Sequence, residues 1–271
     1  SLSDPRSTKD RYVLFCLKHK LFLNAWAGDQ YVMPAISDEI DYGSLTVKLS
    51  QTQTVSELLR ILNEIKEAYS TARYLFYLSH LESGVLDKIS SLTSYLTTQG
   101  EELNGLQIGL CKSAYTRAFD VLDKVGRIVN VYFKIGKARD SFWDVLAEKQ
   151  SRGQAHEIRF VARPSVIATN NYSLYALADL CIDYFESEHV EFKGIDARRN
   201  RITHDYLAVT KSTSNAEGEG IVTVGEIYRQ TLATLRLAKF ATLYAVSAVY
   251  ISEERKGRPA SAKKMRYQKS S

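Results

Sequence analysis

From Val55 to about Leu81 the chain reads VSELLRILNEIKEAYSTARYLFYLSHL, with apolar residues at Leu58, Leu59, Leu62, Ile65, Tyr69 and Ala72. That spacing gathers them on one side of a helix, whereas a half-buried strand would alternate. Ser56 contributes to a cap at the start, and Gly84 ends the segment. A second long helix is predicted from Gly105 to Ile135, with Gly136 as its stop. Helices resume at SLYALADLCIDYFESE, at the window DARRNRITHDYLAV (Asp196 to Val209), and from Gly225 to about Glu254. Four prolines in 271 residues leave few breaks in these segments. The expected fold is all-α, an antiparallel bundle of about five main helices.

The bundle is assigned to residues 55–254. Residues 1–54 form a lead-in without a long helical period, packed on the bundle. Within it RYVLFCLKHKLFLNAW is apolar enough to be buried, and GDQYVMPAISDEIDYGS reads as a loop. Ala147 to Asn171, with Gly153 and Pro164, reads as a long connection, and KSTSNAEGEG as a mobile surface loop. No internal repeat is visible. The opening SLSDP lacks Met, which reads as a piece cut from a longer protein.

The net charge of +5 invites a nucleic-acid reading, but its location matters. Residues 255–271 hold seven basic side chains and no acidic one; taking those seven away leaves 29 basic against 31 acidic residues. The excess therefore sits in a tail read as solvated and flexible rather than as a binding arm. Three cysteines, Cys16, Cys111 and Cys181, lie far apart among apolar neighbours, as buried thiols of a cytoplasmic protein would. The stretch LAKFATLYAVSAVYI is too short for a membrane span and carries Lys239.

On an ideal helix Ile195, Ile202, Tyr206 and Val209 fall within a narrow arc that should face the core, while Asn200 and His204 share the opposite side. Arg199 lies about 140° from His204 around the axis. Joint work by the two requires a long arginine reaching round, a distorted helix or a second protomer, whose symmetry would bring two copies to one cleft. These side chains suit metal-free RNA cleavage. The 2′-hydroxyl attacks the adjacent phosphorus, an imidazole exchanges the proton near neutral pH, and a guanidinium holds the charged phosphoryl oxygens. Spacing alone carries no function, because Arg73 and His80 also form an arginine-to-histidine pair, and there the intervening YLFYLS reads as core.

RRNRITHDYL is similar to the R-N-x-x-x-H signature of HEPN domains (higher eukaryotes and prokaryotes nucleotide-binding), with Arg199, Asn200 and His204 at its defining positions. Residues 114–146, through Asp123-Lys124, Asn130, Tyr132-Phe133 and Phe142-Trp143, resemble the HEPN branch that carries tetratricopeptide repeats ahead of the domain. CLKHKLFLN and NYSLYALADLCIDYF resemble it too, so the likeness covers most of residues 12–210 in order. It implies a helical homodimer that brings two motifs together, cutting RNA without metal or other cofactor. It also implies a role in antiviral defence or a toxin–antitoxin system, with an antitoxin or a repeat-built sensor domain outside this chain. His204-Asp205-Tyr206 further resembles R-x-x-x-x-H-x-Y toxins whose tyrosine is adenylylated by a nucleotidyltransferase; the wheel instead makes Tyr206 a structural core residue.

Arg198 and Arg201 flank the motif as phosphate-binding candidates or as a solvated face. Asp120 and Asp123 lack a third ligand, and Asp123 reads as a helix charge near Lys124 and Arg127. Arg117 and Lys124 are read as surface charges rather than RNA contacts. His19, His80, His156 and His189 have no ligand spacing. Trp26 and Trp143 read as core anchors. No glycine-rich phosphate loop or nucleophile elbow is present.

Overall fold

The computed structural model describes residues 8–24, 36–43, 45–47, 52–81, 84–96, 102–135, 141–152, 157–186, 195–211, 220–256 and 263–265. In chain order these form α1 (Thr8–His19), β1 (Leu45–Val47), α2 (Thr52–Leu78), α3 (Gly84–Ser90) and α4 (Leu106–Phe133). Then come α5 (Phe142–Leu146), β2 (Ala147–Arg152), β3 (Glu157–Ala162), α6 (Pro164–Ile167) and α7 (Tyr172–Glu186). The last are α8 (Ile195–His204), β4 (Ala208–Thr210), β5 (Ile221–Thr223), α9 (Val224–Arg255) and β6 (Lys263–Met265). The expected all-α bundle is present, edged among the described residues by three two-stranded ribbons.

α4 runs through the middle. It buries Ile108, Tyr115, Phe119, Leu122, Val125 and Val129 among others, a face broad enough to meet α2 on one side and α9 on the other. Its last residue is followed by Lys134 at φ 53°, a left-handed cap whose N–H donates to the Asn130 carbonyl. The stop expected at Gly136 lies outside the described residues. α9 packs against α4, and its buried residues include alanines 233, 238, 241, 245 and 248. Its buried threonines 231, 234 and 242 donate their hydroxyls to the carbonyl one turn back, so these three hydroxyls are satisfied within the helix. A capping box opens α9: Thr223 Oγ1 accepts the Glu226 N–H at 3.2 Å, and Glu226 Oε2 accepts the Thr223 N–H at 3.1 Å. α9 is long and apolar enough to cross a membrane by composition, yet 67% of its most apolar window is buried within the protein.

Several expectations need correction. The lead-in contains a 12-residue helix, α1, where no long period was read. α2 begins at Thr52, before Ser56, and Gly84 opens α3 instead of closing α2. The connection from Ala147 holds an antiparallel hairpin, β2–β3, pairing Ala147 with Ala162 through to Arg152 with Glu157. Neither arm, AEKQSR or EIRFVA, carries a full alternation of apolar and polar residues, so no strand is legible there. From the basic tail, β6 pairs with β1; the rest of that tail beyond Lys256 lies outside the described residues, as do positions 212–219 of the KSTSNAEGEG loop.

The lead-in is held by a buried cation. Arg73 on α2 is 4% exposed and donates to Asp38 Oδ1 and Oδ2 (2.8 and 2.9 Å), to the Tyr12 hydroxyl (2.7 Å) and to the Leu21 carbonyl (3.0 Å). Asp38 Oδ1 also accepts the Leu23 N–H at 2.7 Å. Arg73 is therefore a structural clamp, and His80 packs separately against the Phe76 and Tyr228 rings. Cys16, Cys111 and Cys181 are buried free thiols, as expected. Trp143 stacks on Tyr184 at 4.4 Å, while Trp26, His156 and His189 lie outside the described residues.

Candidate functional site

α8 is short and polar, and it reaches the core at few points. Ile202 is half-buried against the core cluster, as the wheel required, and Asn200, Thr203 and His204 are exposed. The Thr203 hydroxyl folds back to the Arg199 carbonyl at 2.9 Å, leaving the outer face to Asn200 and His204. The helix stops at His204, and the Asp205 N–H closes the last turn on the Arg201 carbonyl at 3.0 Å.

Beyond that point the helical wheel no longer applies. Tyr206 is 65% exposed, not on the core arc, because the chain has left the helix two residues earlier. Leu207 takes the buried place, and its carbonyl accepts from Lys112 Nζ of α4 at 2.6 Å. Val209 is buried in β4, which runs parallel to β5.

The three arginines of the window each turn to a different neighbour. Arg199 Nη2 donates to Asp123 Oδ2 of α4 at 2.9 Å, and its guanidinium lies over the Phe119 ring, 5.4 Å from the centroid. Arg198 approaches Glu226, the capping-box residue of α9, at 3.5 Å. Arg201 is half-buried against Gly220, where φ is +92° and a Cβ would collide with Arg201 Nη1. The flanking arginines considered as phosphate ligands thus also have contacts inside the fold.

Asp123 does not join Lys124 and Arg127 in a local charge cluster, as their spacing suggests; those two pair with Glu64 and Glu57 of α2. Asp123 points the other way, to α8. Burial pushes its carboxyl above the ordinary range, opposed by the Arg199 guanidinium and by the Phe142 N–H it accepts. Arg117 pairs with Asp120 on the surface. Since Arg199 and Asp123 keep 30% and 36% of their side-chain exposure, the pair contributes about 0–1 kcal/mol to stability. Its consequence is orientation. Nothing in the sequence joined residues 76 apart, although Phe119 and Asp123 do share a face of α4 by their spacing of four.

Among the described residues no three His, Cys, Asp or Glu side chains gather as a cation site. The arrangement offers an exposed imidazole and carboxamide on one helix face, and on another side of the same helix a guanidinium held by a neighbouring helix. A family model, LA2681-like HEPN, matches residues 49–252.

The chain belongs to the LA2681-like HEPN family.

That match spans α2 through most of α9, so the HEPN domain includes the central helix, the hairpin and the motif helix together. No curated protein and no solved structure matches the chain. Membership of the HEPN family associates the chain with nucleotide- or RNA-related function. The R-N-x-x-x-H residues fall on α8 of that domain, at its exposed end.

Proposed function

We propose that this HEPN domain is a metal-independent endoribonuclease that acts as a homodimer. The observation that carries the reading is the disposition of α8: Asn200 and His204 face outward while Arg199 is held by α4. Two copies of that exposed face, related by a twofold axis, would converge on one RNA linkage. In the reaction the 2′-hydroxyl loses its proton to His204 and attacks phosphorus, and Arg199 stabilises the charge that builds on the phosphoryl oxygens. Asn200 orients the imidazole or the phosphate. The P–O5′ bond breaks, the leaving oxygen takes a proton, and the products are a 2′,3′-cyclic phosphate and a free 5′-hydroxyl. Such an activity fits antiviral defence or a toxin–antitoxin system, restrained by a partner or a sensor domain.

The test is cleavage of defined RNAs by purified protein, wild type against Arg199→Ala and His204→Ala, with and without chelator, reading the product ends. Loss of cleavage in both variants, cyclic phosphate termini and indifference to chelator support the reading. Cleavage that survives His204→Ala refutes it, and RNA binding without turnover by the wild type would favour a non-catalytic HEPN module.

A second reading gains from the exposure of Tyr206. Its side chain stands in solvent two residues from His204, so its hydroxyl is accessible to a nucleotidyltransferase. Adenylylation there would place a bulky anion beside the motif and block it. Intact mass after incubation with such an enzyme and ATP decides this, with Tyr206→Phe as the control.

A further inference from the structure

Arg199 rests on two supports that come from one face of α4. Phe119 and Asp123, four residues apart, lie one above the other on that helix. Phe119 is 1% exposed, so its ring is fixed in the core while one side of it meets the guanidinium at 5.4 Å. Asp123 accepts from Nη2 at 2.9 Å and is itself steadied by the Phe142 N–H at the start of α5. The ring supports the guanidinium from one side and the carboxylate fixes one of its nitrogens. A guanidinium has five N–H donors. Among the described residues the hydrogen bond of this one runs through Nη2 alone, and 30% of the side chain stays exposed. Donors therefore remain for a phosphoryl oxygen.

Resting on the ribonuclease reading of α8, the geometry points to Asp123 as a positioning residue that, with Phe119, holds the Arg199 guanidinium ready for the scissile phosphate of RNA. Electrostatic catalysis depends on groups that are already in place when charge develops. A free arginine would have to give up its rotamer freedom in the transition state, and misplacement by about 1 Å can cost 10²-fold. Asp123 touches neither the RNA nor the reacting atoms. Its negative charge opposes phosphate binding slightly, so its loss should not weaken the affinity for RNA.

The experiment compares Asp123→Ala, Arg199→Ala and the double variant in single-turnover cleavage with enzyme in excess, alongside melting temperatures. Asp123→Ala is expected to lower the cleavage rate about 10- to 100-fold, with KM unchanged or lower and the melting temperature nearly unmoved. The decisive comparison is the double variant: positioning predicts that it cleaves no more slowly than Arg199→Ala alone, because Asp123 then has nothing to hold. A general structural role predicts a further drop in the double variant, which would overturn the proposal. So would wild-type rates in Asp123→Ala while Arg199→Ala is impaired, and that result would leave the ribonuclease reading standing. No cleavage by the unmutated protein would overturn both.

Discussion

Asp38→Ala removes the counter-ion of a guanidinium that cannot reach water. Arg73 is 4% exposed and makes four hydrogen bonds, two of them to Asp38 at 2.8 and 2.9 Å. The truncation leaves it only the Tyr12 hydroxyl and the Leu21 carbonyl, and takes the acceptor from the Leu23 N–H as well. Breaking a buried pair from one side typically costs about 3–5 kcal/mol, because a charge is left uncompensated. The Asp38 side chain keeps 19% exposure, so water can replace part of it and the low end, about 3 kcal/mol, is expected. Urea unfolding followed by circular dichroism measures this directly. With a slope of about 3 kcal/mol/M the midpoint should fall by roughly 1 M. The Arg73→Met/Asp38→Leu double variant buries no charge and should recover most of the loss. A single variant within about 1 kcal/mol of wild type, or a double variant no more stable than the single, would refute the argument.

His204→Ala, at an exposed position, should lower RNA cleavage by at least about 100-fold while the melting temperature moves by no more than about 2 °C, read in parallel by gel and calorimetry. Burial pushes the Lys239 ammonium down to about 8 from 10.5, although its Nζ donates to the Lys20 carbonyl at 3.1 Å. The unfolded chain then holds the extra proton between those values, so stability should rise as pH climbs from about 8 to 10.5. Lys239→Met should flatten that rise, and urea midpoints at about pH 7 and about pH 10 check it. Gly220→Ala forces a side chain into φ +92° and onto Arg201, a loss of about 1–3 kcal/mol visible as a lower melting temperature.

The long helices were legible because their evidence is local. Apolar spacing alone located α2, α4, α7 and α9, since each buries a continuous stripe against the others. The ends were read less well. Ser56 and Gly84 carry cap-like chemistry, but a cap is decided by where the backbone meets its neighbours, and α2 started earlier while Gly84 opened a new helix. The β2–β3 hairpin was hidden because its pairing joins two arms that each lack a strong pattern.

At the motif, the order of Arg199, Asn200 and His204 and their places around the helix could be read from spacing, and so could the outward turn of Asn200 and His204. Tyr206 could not, because a helical wheel assumes a helix that here ends at His204. Nor could the partner of Arg199. A side chain on one helix meets another 76 residues away only through tertiary packing, and the local i,i+4 rule, which offers Asp123 to Arg127, is overridden when α2 supplies Glu57 and Glu64 and α8 supplies Arg199. Periodicity along the chain thus determined which faces are apolar and which residues ride on the motif helix. The approach of α8 to α4 decided what holds the arginine, because hydrogen bonds and ion pairs act over a few ångströms of space whatever the distance along the sequence.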